Sequence, residues 1–370
     1  MTQFIDLHVI QNLPPNCINR DDTGSPKAAI YGGVLRSRVS SQAWKRAIRK
    51  QFQQMFPADS NGIRTRNVKN LLVDQIVQKS TVDLSEDEVN KAAEKALVLA
   101  GIKGEKSKDV LFFISHKQID ALADVALNHF ENGKWKEPKT KQETKQEKAE
   151  FTAAAKNNPS IDILLFGRMA AQEPLLNYDA TCQVAHAIST HEIQNEFDYF
   201  TAVDDANNDG TGAGHLGTVE YNSSTLYRYA TLNAQELAKG LDESGESEIL
   251  SDVVKNFIQA FVVSMPTGKQ NTFANRTLPS LVYVTLRDDQ PINLVGAFER
   301  PVRTSTEGYV DESIKALSKY ANKTYKMYDA YPKKSWYIGA IDNLFESDFK
   351  KSNNLQEMLN DVGNTINEEE

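Results

Sequence analysis

The chain has 370 residues, enough for two or three packed units. Of these residues 40% are hydrophobic and 25% are charged, a composition typical of soluble globular proteins. Its two cysteines, Cys17 and Cys182, are too few for a disulfide framework or a thiolate metal site. The first residues lack the basic and apolar regions of a signal peptide, and no run approaches about 18 apolar residues. We therefore expect a cytoplasmic protein with no membrane partner.

The formal net charge of -8 argues at first against a nucleic-acid partner. The charge is segregated, however, because residues 23–58 contain no aspartate or glutamate, whereas 204–209 and 364–370 are rich in acids. The acid-free stretch contains seven basic residues: Lys27, Arg36, Arg38, Lys45, Arg46, Arg49 and Lys50. A polyanion would find one strongly positive patch on an otherwise repulsive molecule.

Residues 4–10 (FIDLHVI) are apolar and β-branched enough to predict a buried first strand. A polar loop containing two prolines follows, and a second extended segment comes after two glycines. Ser40 or Ser41 suits the N-cap position of a helix that runs to about Met55. This helix is the most informative part of the sequence.

The predicted helix has two distinct faces. At 100° per residue, one sector is apolar and consists of Trp44, Ala47, Ile48, Phe52 and Met55. The opposite sector consists of Gln42, Lys45, Arg46, Arg49, Lys50 and Gln53. Most basic stripes of this kind are solvated helix faces. An ordinary solvated face, however, carries both acidic and basic residues, which form i,i+4 pairs, whereas this helix has no acid. Because like charges repel at this spacing, the pattern favours phosphate binding over simple solvation.

Residues 59–180 form a separate, mostly helical insertion in this interpretation. Helical periodicity is present at 68–79, 85–100 and 117–130. The segment 132–150 is rich in lysine and glutamate and of low complexity, which predicts an exposed loop or a frayed helix.

The rest of the chain alternates between strands and helices. Strands are predicted at 182–187, 225–233 and 281–286, and an amphipathic helix at 249–264. Between the first two strands, residues 198–220 hold a glycine-rich tip that predicts a long mobile hairpin. The sequence therefore predicts an α+β core that is interrupted by two insertions.

Familiar catalytic and metal motifs fail in detail. Residues 205–210 match half of a calcium loop, but Leu216 occupies the position that needs a bidentate glutamate. His186 and His191 are five residues apart, which does not place two imidazoles on one helical face. Gly268-Lys269 resembles the end of a phosphate loop, but the upstream glycine is missing and no serine or threonine follows the lysine. Lys269 can still bind a phosphate as a point charge. We expect no metal and no cofactor.

A set of motifs occurs in order from residue 4 to about residue 300. They are FIDLHVIQNLPPNCINRDD (4–22), KAAIYGG (27–33), RVSSQAWKRAIRK (38–50), FGRM (166–169), CQVAHAISTHE (182–192), DYFTAVDD (198–205), GHLG (214–217), YRYATLN (227–233) and PTGKQNTFA (266–274). Together they closely resemble the CasC-type backbone subunit, a crRNA-binding RAMP protein, of the type I-E CRISPR Cascade complex.

The resemblance implies a hand-shaped α+β fold: an RRM-like (ferredoxin-like) palm with an inserted helical fingers domain and a β-hairpin thumb. The implied boundaries are palm 1–58, fingers 59–180, palm 181–196, thumb 197–224, and continued palm with C-terminal helices 225–370. One feature departs from ordinary RRM domains, because the sequence has no clear aromatic RNP1 or RNP2 pair. Bases are therefore not expected to stack across the sheet.

The resemblance also implies a function without catalysis. Copies of the chain would line up head to tail on the spacer of a CRISPR RNA (crRNA) and leave its bases free to pair with a target DNA strand. The implied partners are the crRNA, that DNA strand, further copies of the chain, and other Cascade subunits, namely the guide-end RAMP subunits and the large and small subunits.

The resemblance assigns the RNA contacts residue by residue. RNA contacts are implied for Arg20, Lys27, Arg38, Ser40, Gln42, Lys45, Arg46, Arg49, Lys269 and Gln270. Of these, the four residues on the predicted helix, Gln42, Lys45, Arg46 and Arg49, would grip the phosphates together with Arg20 and Lys27, and Lys269 and Gln270 match a loop near the RNA. Met169 matches a methionine that wedges against the bases, and its alternative is core filling, which methionine often performs. Phe200, Val203 and Leu216 would contact a displaced nucleotide at the thumb, and packing within the hairpin is their alternative.

A different class of function remains open from sequence alone. A metal-independent CRISPR RNA-processing endoribonuclease would share the RRM-like core. It would need a positioned general base and acid, and the only candidates are His8 or His191 beside a tyrosine or lysine.

Overall fold

The computed structural model describes residues 3–81, 83–102, 111–131, 134–170, 173–203, 213–339 and 349–369. Within them the strands are β1 (Phe4–Asn16), β2 (Ala28–Tyr31), β3 (Val34–Val39), β4 (Gly62–Thr65), β5 (Phe112–Ser115), β6 (Phe130–Glu131), β7 (Lys134–Trp135), β8 (Cys182–Val184), β9 (Ala187–Ser189), β10 (Glu196–Val203), β11 (Ala213–Asn233), β12 (Leu281–Arg287), β13 (Lys334–Gly339) and β14 (Phe349–Lys351). The helices are α1 (Ser41–Met55), α2 (Val68–Lys79), α3 (Glu86–Leu99), α4 (His116–Asn128), α5 (Lys141–Lys156), α6 (Ile161–Phe166), α7 (Ala234–Glu243), α8 (Leu250–Val263), α9 (Gln270–Phe273), α10 (Val310–Tyr328) and α11 (Leu355–Glu369).

The chain divides into two compact units. The first comprises Met1–Gln51, Gln183–Gln235 and Val254–Glu370. Its large sheet has the strand order β14-β13-β12-β1-β11-β9-β3-β2, and β8 and β10 also pair with β11. Along this order neighbouring strands are antiparallel except β13 and β14, which are parallel, and β10 pairs antiparallel with β11. A mostly antiparallel sheet with helices confirms the predicted α+β class.

The four central strands follow a recognisable succession. The ferredoxin-like succession is strand, helix, strand, strand, helix, strand. In this chain it is formed, in order, by β1, α1, β9, β11, α8 and β12. In the sheet these strands lie in the order β12-β1-β11-β9. This arrangement is consistent with the predicted palm, whose RRM-like character remains a prediction.

One face of the sheet carries α1 and α8. Trp44 of α1 is buried against Leu13, Leu226 and other core residues. The Arg228 guanidinium lies 3.8 Å from the centre of the Trp44 ring and 4.6 Å from that of Phe261 on α8. Successive side chains of a strand point to opposite faces, so Leu226 and Arg228 share this helix-covered face.

The opposite face of the sheet is covered as well. Tyr227 and Tyr229 on β11 lie in a core cluster with Leu317 and Tyr325 of α10. Next to them the ring of His8 is fully buried, and its centre is 5.2–6.2 Å from three tyrosine rings. Aromatic residues are thus present on the sheet but lie under a helix, which explains physically why this face cannot be a base-stacking platform.

The second unit comprises Phe52–Cys182 and Glu236–Val253. Its core is formed mainly by the apolar faces of α2, α3, α4 and α5. Three of these helices begin with capping boxes, in which a hydroxyl and a glutamate or glutamine satisfy the free N–H groups at Ser85, Ser115 and Thr140. This unit also contains residues 52–58, 181–182 and 236–253, which the sequence analysis assigns to the palm; the boundaries of the fingers stay a prediction.

The lysine- and glutamate-rich segment is more regular than predicted. It was expected to be a loop or a frayed helix, but α5 extends over Lys141–Lys156 as a continuous helix. Its charged half runs into the apolar sequence FTAAA, and Glu147, Phe151, Ala154 and Ala155 are buried at helical spacing. Burial of this stripe stabilises a sequence whose composition alone suggests a solvated segment.

The buried Asp6 gives the first unit a characteristic pH dependence. Its carboxylate accepts hydrogen bonds from the Tyr229 hydroxyl at 2.9 Å and the Ile292 amide at 2.8 Å. Burial outweighs these bonds and raises the pKa of the Asp6 carboxyl from 3.8 to about 6. The folded state therefore holds this proton at pH values where the unfolded chain releases it.

We predict that Asp6→Asn removes this pH dependence. The contribution of the wild-type carboxyl to stability is present below pH 4 and is lost as the pH rises through 6. At about 1.4 kcal/mol per pKa unit, the loss is about 3 kcal/mol. Urea unfolding at pH 4 and pH 7 measures it: the wild type should lose most of this amount relative to the variant between the two values. Parallel pH profiles would contradict the prediction.

Candidate nucleic-acid interface

Helix α1 presents the two faces that the sequence predicts. The apolar residues are buried or, at the last position, half-buried: Trp44, Ala47, Ile48, Phe52 and Met55. The basic face consists of exposed Gln42, Arg46, Lys50 and Gln53 and half-buried Lys45 and Arg49. Burial of the apolar stripe thus fixes which side of the helix faces solvent.

Ser40 has a structural role at the start of α1. Its hydroxyl accepts a hydrogen bond from the Ala43 amide at 3.3 Å, as an N-cap residue does. Its own amide donates to the Asn19 side chain at 2.8 Å, which ties the loop after β1 to the helix. Only 6% of Ser40 is exposed. This side chain therefore positions α1, and we do not include it among the proposed RNA contacts.

A cavity of about 680 Å³ opens beside α1. Its walls come from the loop after β1, from α1, and from the loop that precedes α9. Four cationic side chains line it: Arg20, Arg46, Lys50 and Lys269. Among the described residues, none of the four forms an ion pair, although Asp21 and Asp22 lie in the same wall.

The carboxylate of Asp21 is engaged by its own loop. It accepts hydrogen bonds from the Thr23 amide at 2.9 Å, the Thr23 hydroxyl at 2.7 Å and the Ser25 amide at 3.0 Å. The hydrogen bond from the Thr23 side chain is the largest effect that lowers the pKa of Asp21. The aspartate thus shapes the loop, and the four cations of the cavity outnumber its two acids.

Gly268 brings Lys269 to the cavity. A Cβ atom on Gly268 would lie 2.3 Å from the carbonyl oxygen of Ile18, so only glycine allows this close approach of two backbone segments. Lys269 follows in the left-handed conformation with φ of 49°. Gln270 begins α9 and is half-buried, and it is not among the residues that line the cavity.

Lys27 and Arg38 form a second basic group. Their backbones are joined by a hydrogen bond of 2.9 Å from the Arg38 amide to the Lys27 carbonyl. The Arg38 guanidinium contacts Nδ1 of exposed His186 at 3.2 Å. Partial burial and the charges of Arg38 and Lys27 lower the pKa of His186. Since arginine only donates, Nδ1 is the acceptor, and the ring is neutral.

Arg36 does not belong to the positive patch that the sequence suggests. Its side chain is fully buried, and the guanidinium donates to the carbonyl oxygens of Tyr31, Ser189 and Phe298 at 2.8–3.1 Å. Burial lowers the pKa of this guanidinium. Alternation along β3 places Arg36 and Arg38 on one face, but the sequence does not show that Arg36 is fully buried while Arg38 is only partly buried.

Met169 lies in the second unit, on a loop that is held firmly at its base. The neighbouring Arg168 is buried and donates to the carbonyls of Leu176, Phe113 and Ala155 and to the Gln118 side chain, at 2.8–3.1 Å. Met169 itself is 86% exposed. Core filling, the alternative considered from sequence, is therefore excluded for this side chain.

The predicted thumb corresponds to the hairpin of β10 and β11. Phe200 lies opposite Gly217, and a Cβ there would be 2.3 Å from the Phe200 ring, so the ring covers the glycine while 41% of the residue stays exposed. Only the backbone of Val203 and Leu216 is described, and both are paired in the hairpin. The calcium-like motif at 205–210 lies outside the described residues.

Sequence reasoning missed several exposed groups. Phe197 and Tyr199 are 68% and 63% exposed and share one face of β10, a signal that their i,i+2 spacing carries. Leu175, in the 3-10 turn Pro174–Leu176, is also exposed. Lys50 was recognised on the basic helix face, but its place at the cavity became apparent only from the fold.

The two histidines considered as general bases are both buried. His8 contacts the Tyr227 hydroxyl through Nδ1 at 2.8 Å, and burial lowers its pKa to about 3. His191 accepts from the Thr225 amide at 3.0 Å through Nε2 and contacts the Glu192 carbonyl at 2.7 Å through Nδ1. Backbone groups thus occupy both ring nitrogens of His191.

Among the described residues, no group of three or more histidine, cysteine, aspartate or glutamate side chains could hold a metal ion. Likewise, none of the helices in this part of the chain is long and apolar enough to cross a membrane.

Comparisons with known proteins agree with this fold. The model of the CT1975-like protein family, Cas_CT1975, matches residues 5–364. The chain belongs to this Cas family. A solved structure described as "CRISPR RNA-guided surveillance complex, pre-nicking" is similar with a TM-score of 0.79 and 29% identity over 98% of this chain and 99% of that chain. A second, "CRISPR RNA-guided surveillance complex", has a TM-score of 0.63 and 26% identity over the same shares. No curated protein matches.

We predict that Gly268→Ala lowers the melting temperature. The added Cβ would force the Ile18 and Gly268 backbones apart, and overpacking of this kind costs about 1–3 kcal/mol. Gly339→Ala is the matched control, because the nearest atom there is the end of the flexible Leu281 side chain at 3.0 Å. Thermal unfolding of both variants measures the difference, and equal melting temperatures would refute the close approach.

Proposed function

We propose that this Cas-family chain is a crRNA-binding backbone subunit of a type I-E CRISPR surveillance complex. Membership of a Cas family and similarity to chains of RNA-guided surveillance complexes support this class of function. The observation that carries the RNA contact is the cavity beside α1, with four cations that pair with no acid among the described residues.

The guide is held by its backbone rather than by its bases. Arg20, Arg46, Lys50 and Lys269 offer charge to ribose-phosphate without reading sequence. The exposed part of the α1 basic face, with Gln42, extends this surface along the helix. Contacts of this kind suit a protein that carries any guide, because recognition of the target is delegated to base pairing.

Apolar side chains would contact the guide at intervals and divide its bases into short segments. Met169 projects from its anchored loop, and Phe200 is partly exposed on the hairpin. In this proposal both contact nucleobases, Met169 from the fingers and Phe200 from the thumb of a neighbouring copy. The intervening bases stay available for a target DNA strand.

Assembly follows from repetition of one binding patch. Copies of the chain would associate head to tail, a contact that does not close on itself and is ended by other subunits of the complex. Each copy binds only a short stretch of RNA. Linked patches on one RNA give an affinity that a single patch does not reach.

We propose no catalytic role for this subunit. A guide-processing endoribonuclease would need a general base that reaches its substrate. His8 is fully buried, and backbone groups occupy both ring nitrogens of His191. Their environments support structural roles for both, and no observation favours the nuclease alternative.

We predict that the double variant Arg46→Gln, Lys50→Gln weakens RNA binding for every sequence. Loss of two phosphate contacts should reduce affinity roughly tenfold or more at 0.1 M salt and lower the salt slope by about 1.4. The control is Lys91→Gln, Lys239→Gln, which removes the same charge from lysines paired with Asp87 and Glu236. Fluorescence anisotropy with a crRNA and a scrambled RNA of equal length gives both values.

Unchanged affinity and slope in the Arg46 and Lys50 variant would remove the cavity from the RNA site. A loss confined to one RNA sequence would contradict a backbone contact. The control should bind like wild type, which separates a local effect from a change in net charge.

We predict that Met169→Ala alters guide function without altering stability. An exposed side chain contributes within about 0.5 kcal/mol to folding, so the melting temperature should not change. Pairing of an RNA-loaded complex with complementary DNA, followed by a fluorescent reporter, should change in rate or extent. Val98→Ala, another exposed apolar site of the second unit, is the control. Identical pairing in both variants would show that Met169 does not contact bases.

A further inference from the structure

The outer face of α10 is a second cationic surface of the first unit. Residues 313–328 contain four lysines and no acid. Lys315 pairs with Glu312 at 2.8 Å. The other three, Lys319, Lys323 and Lys326, are exposed, and together we call them the α10 lysine stripe.

Packing explains why the stripe points to solvent. Ile314, Leu317, Ala321 and Tyr325 occupy the buried face of α10 and pack in the core cluster of the sheet. The stripe residues follow one another at i, i+4 and i+7, on the opposite side of the helix. At 1.5 Å per residue they span about 10 Å along the axis.

The stripe is not neutralised by the described part of the chain. None of its three lysines forms an ion pair there, whereas two lysines that follow soon after, Lys333 and Lys334, pair with Asp288 and Glu368 at 3.5 Å. Like charges at i,i+4 spacing on a helix destabilise it by a few tenths of a kcal/mol. An anionic partner would remove this repulsion.

The chemistry of the stripe favours phosphate over a protein surface. Lysine acts as a compact point charge for phosphate groups, and lysine is depleted in protein–protein interfaces, where arginine and aromatic residues are enriched. A linear row of lysines also matches a linear polyanion. We propose that the α10 lysine stripe binds the phosphodiester backbone of a second nucleic-acid strand.

This strand is distinct from the proposed guide. Leu226 packs with Trp44 of α1, whereas the adjacent Tyr227 packs with α10. Neighbouring residues of a strand point to opposite faces, so α1 and α10 cover opposite faces of the sheet. A strand along α10 can therefore be held while α1 is occupied.

Binding of a non-complementary strand tests the proposal. The full-length chain is first saturated with crRNA and then titrated with a labelled 40-nucleotide single-stranded DNA, and separately with single-stranded RNA, over a range of salt. The test variant is Lys319→Gln, Lys323→Gln, Lys326→Gln. The control, Lys91→Gln, Lys239→Gln, Lys315→Gln, removes the same charge from lysines that each pair with an acid.

We expect the test variant to lose at least tenfold in affinity for the second strand, with a salt slope lower by about 2, while the control binds like wild type. The DNA and RNA titrations show which kind of strand is preferred. Equal binding of both nucleic acids by the test variant and the control would overturn the proposal.

The design separates this proposal from the guide-binding function. The uptake of crRNA by the Arg46→Gln, Lys50→Gln background is measured first, and the second-strand titrations are then repeated in that background without crRNA. If that background still takes up crRNA normally, the proposed guide site is wrong, and the effect of the stripe on the second strand can still be measured. If the background loses crRNA and the stripe variant loses nothing, only the stripe proposal fails.

Discussion

The buried contact between Trp44 and Arg228 orients the basic surface of this protein. The guanidinium has no carboxylate partner among the described residues; it stacks on Trp44 and Phe261 and donates to the Gln11 side chain at 2.6 Å and to the Phe261 carbonyl. Burial lowers the pKa of Arg228 to about 9. Because removal of one partner would leave a buried cation without compensation, α1 is held in one rotation about its axis, and its charged side stays in solvent.

Because the sheet is covered on both faces, the proposed RNA contacts lie at its periphery. His8, Tyr227 and Tyr283 would suit base stacking if they were exposed, but α10 seals them in a hydrogen-bonded core. The proposed contacts lie on a helix face, on loops and on a hairpin. These elements offer charges and single apolar side chains rather than a row of aromatic rings. Such groups can hold the ribose-phosphate backbone of an RNA without stacking on its bases.

Periodicity predicted the helices and strands well, because burial follows it directly. The predicted helix at 68–79 matches α2 residue for residue, and the apolar sector of α1 is the one that is buried. Contacts between distant segments were beyond the sequence: the close approach of Gly268 to Ile18, the carbonyl cage around Arg36, and the capping role of Ser40 each depend on tertiary structure. The RNA-contact assignments came from family resemblance, and the structure brings Arg20, Arg46 and Lys269 together at one cavity.

The position of β1 in the sheet has a consequence for synthesis on the ribosome. Ile10 pairs with Tyr227 on one side and Leu281 on the other, so β1 waits for both partners until more than 200 further residues are made. At about 5–20 residues per second, this interval lasts roughly 10 to 50 seconds. During that time an apolar strand with two open edges must avoid aggregation, and the second unit, most of which is translated in between, has time to fold first.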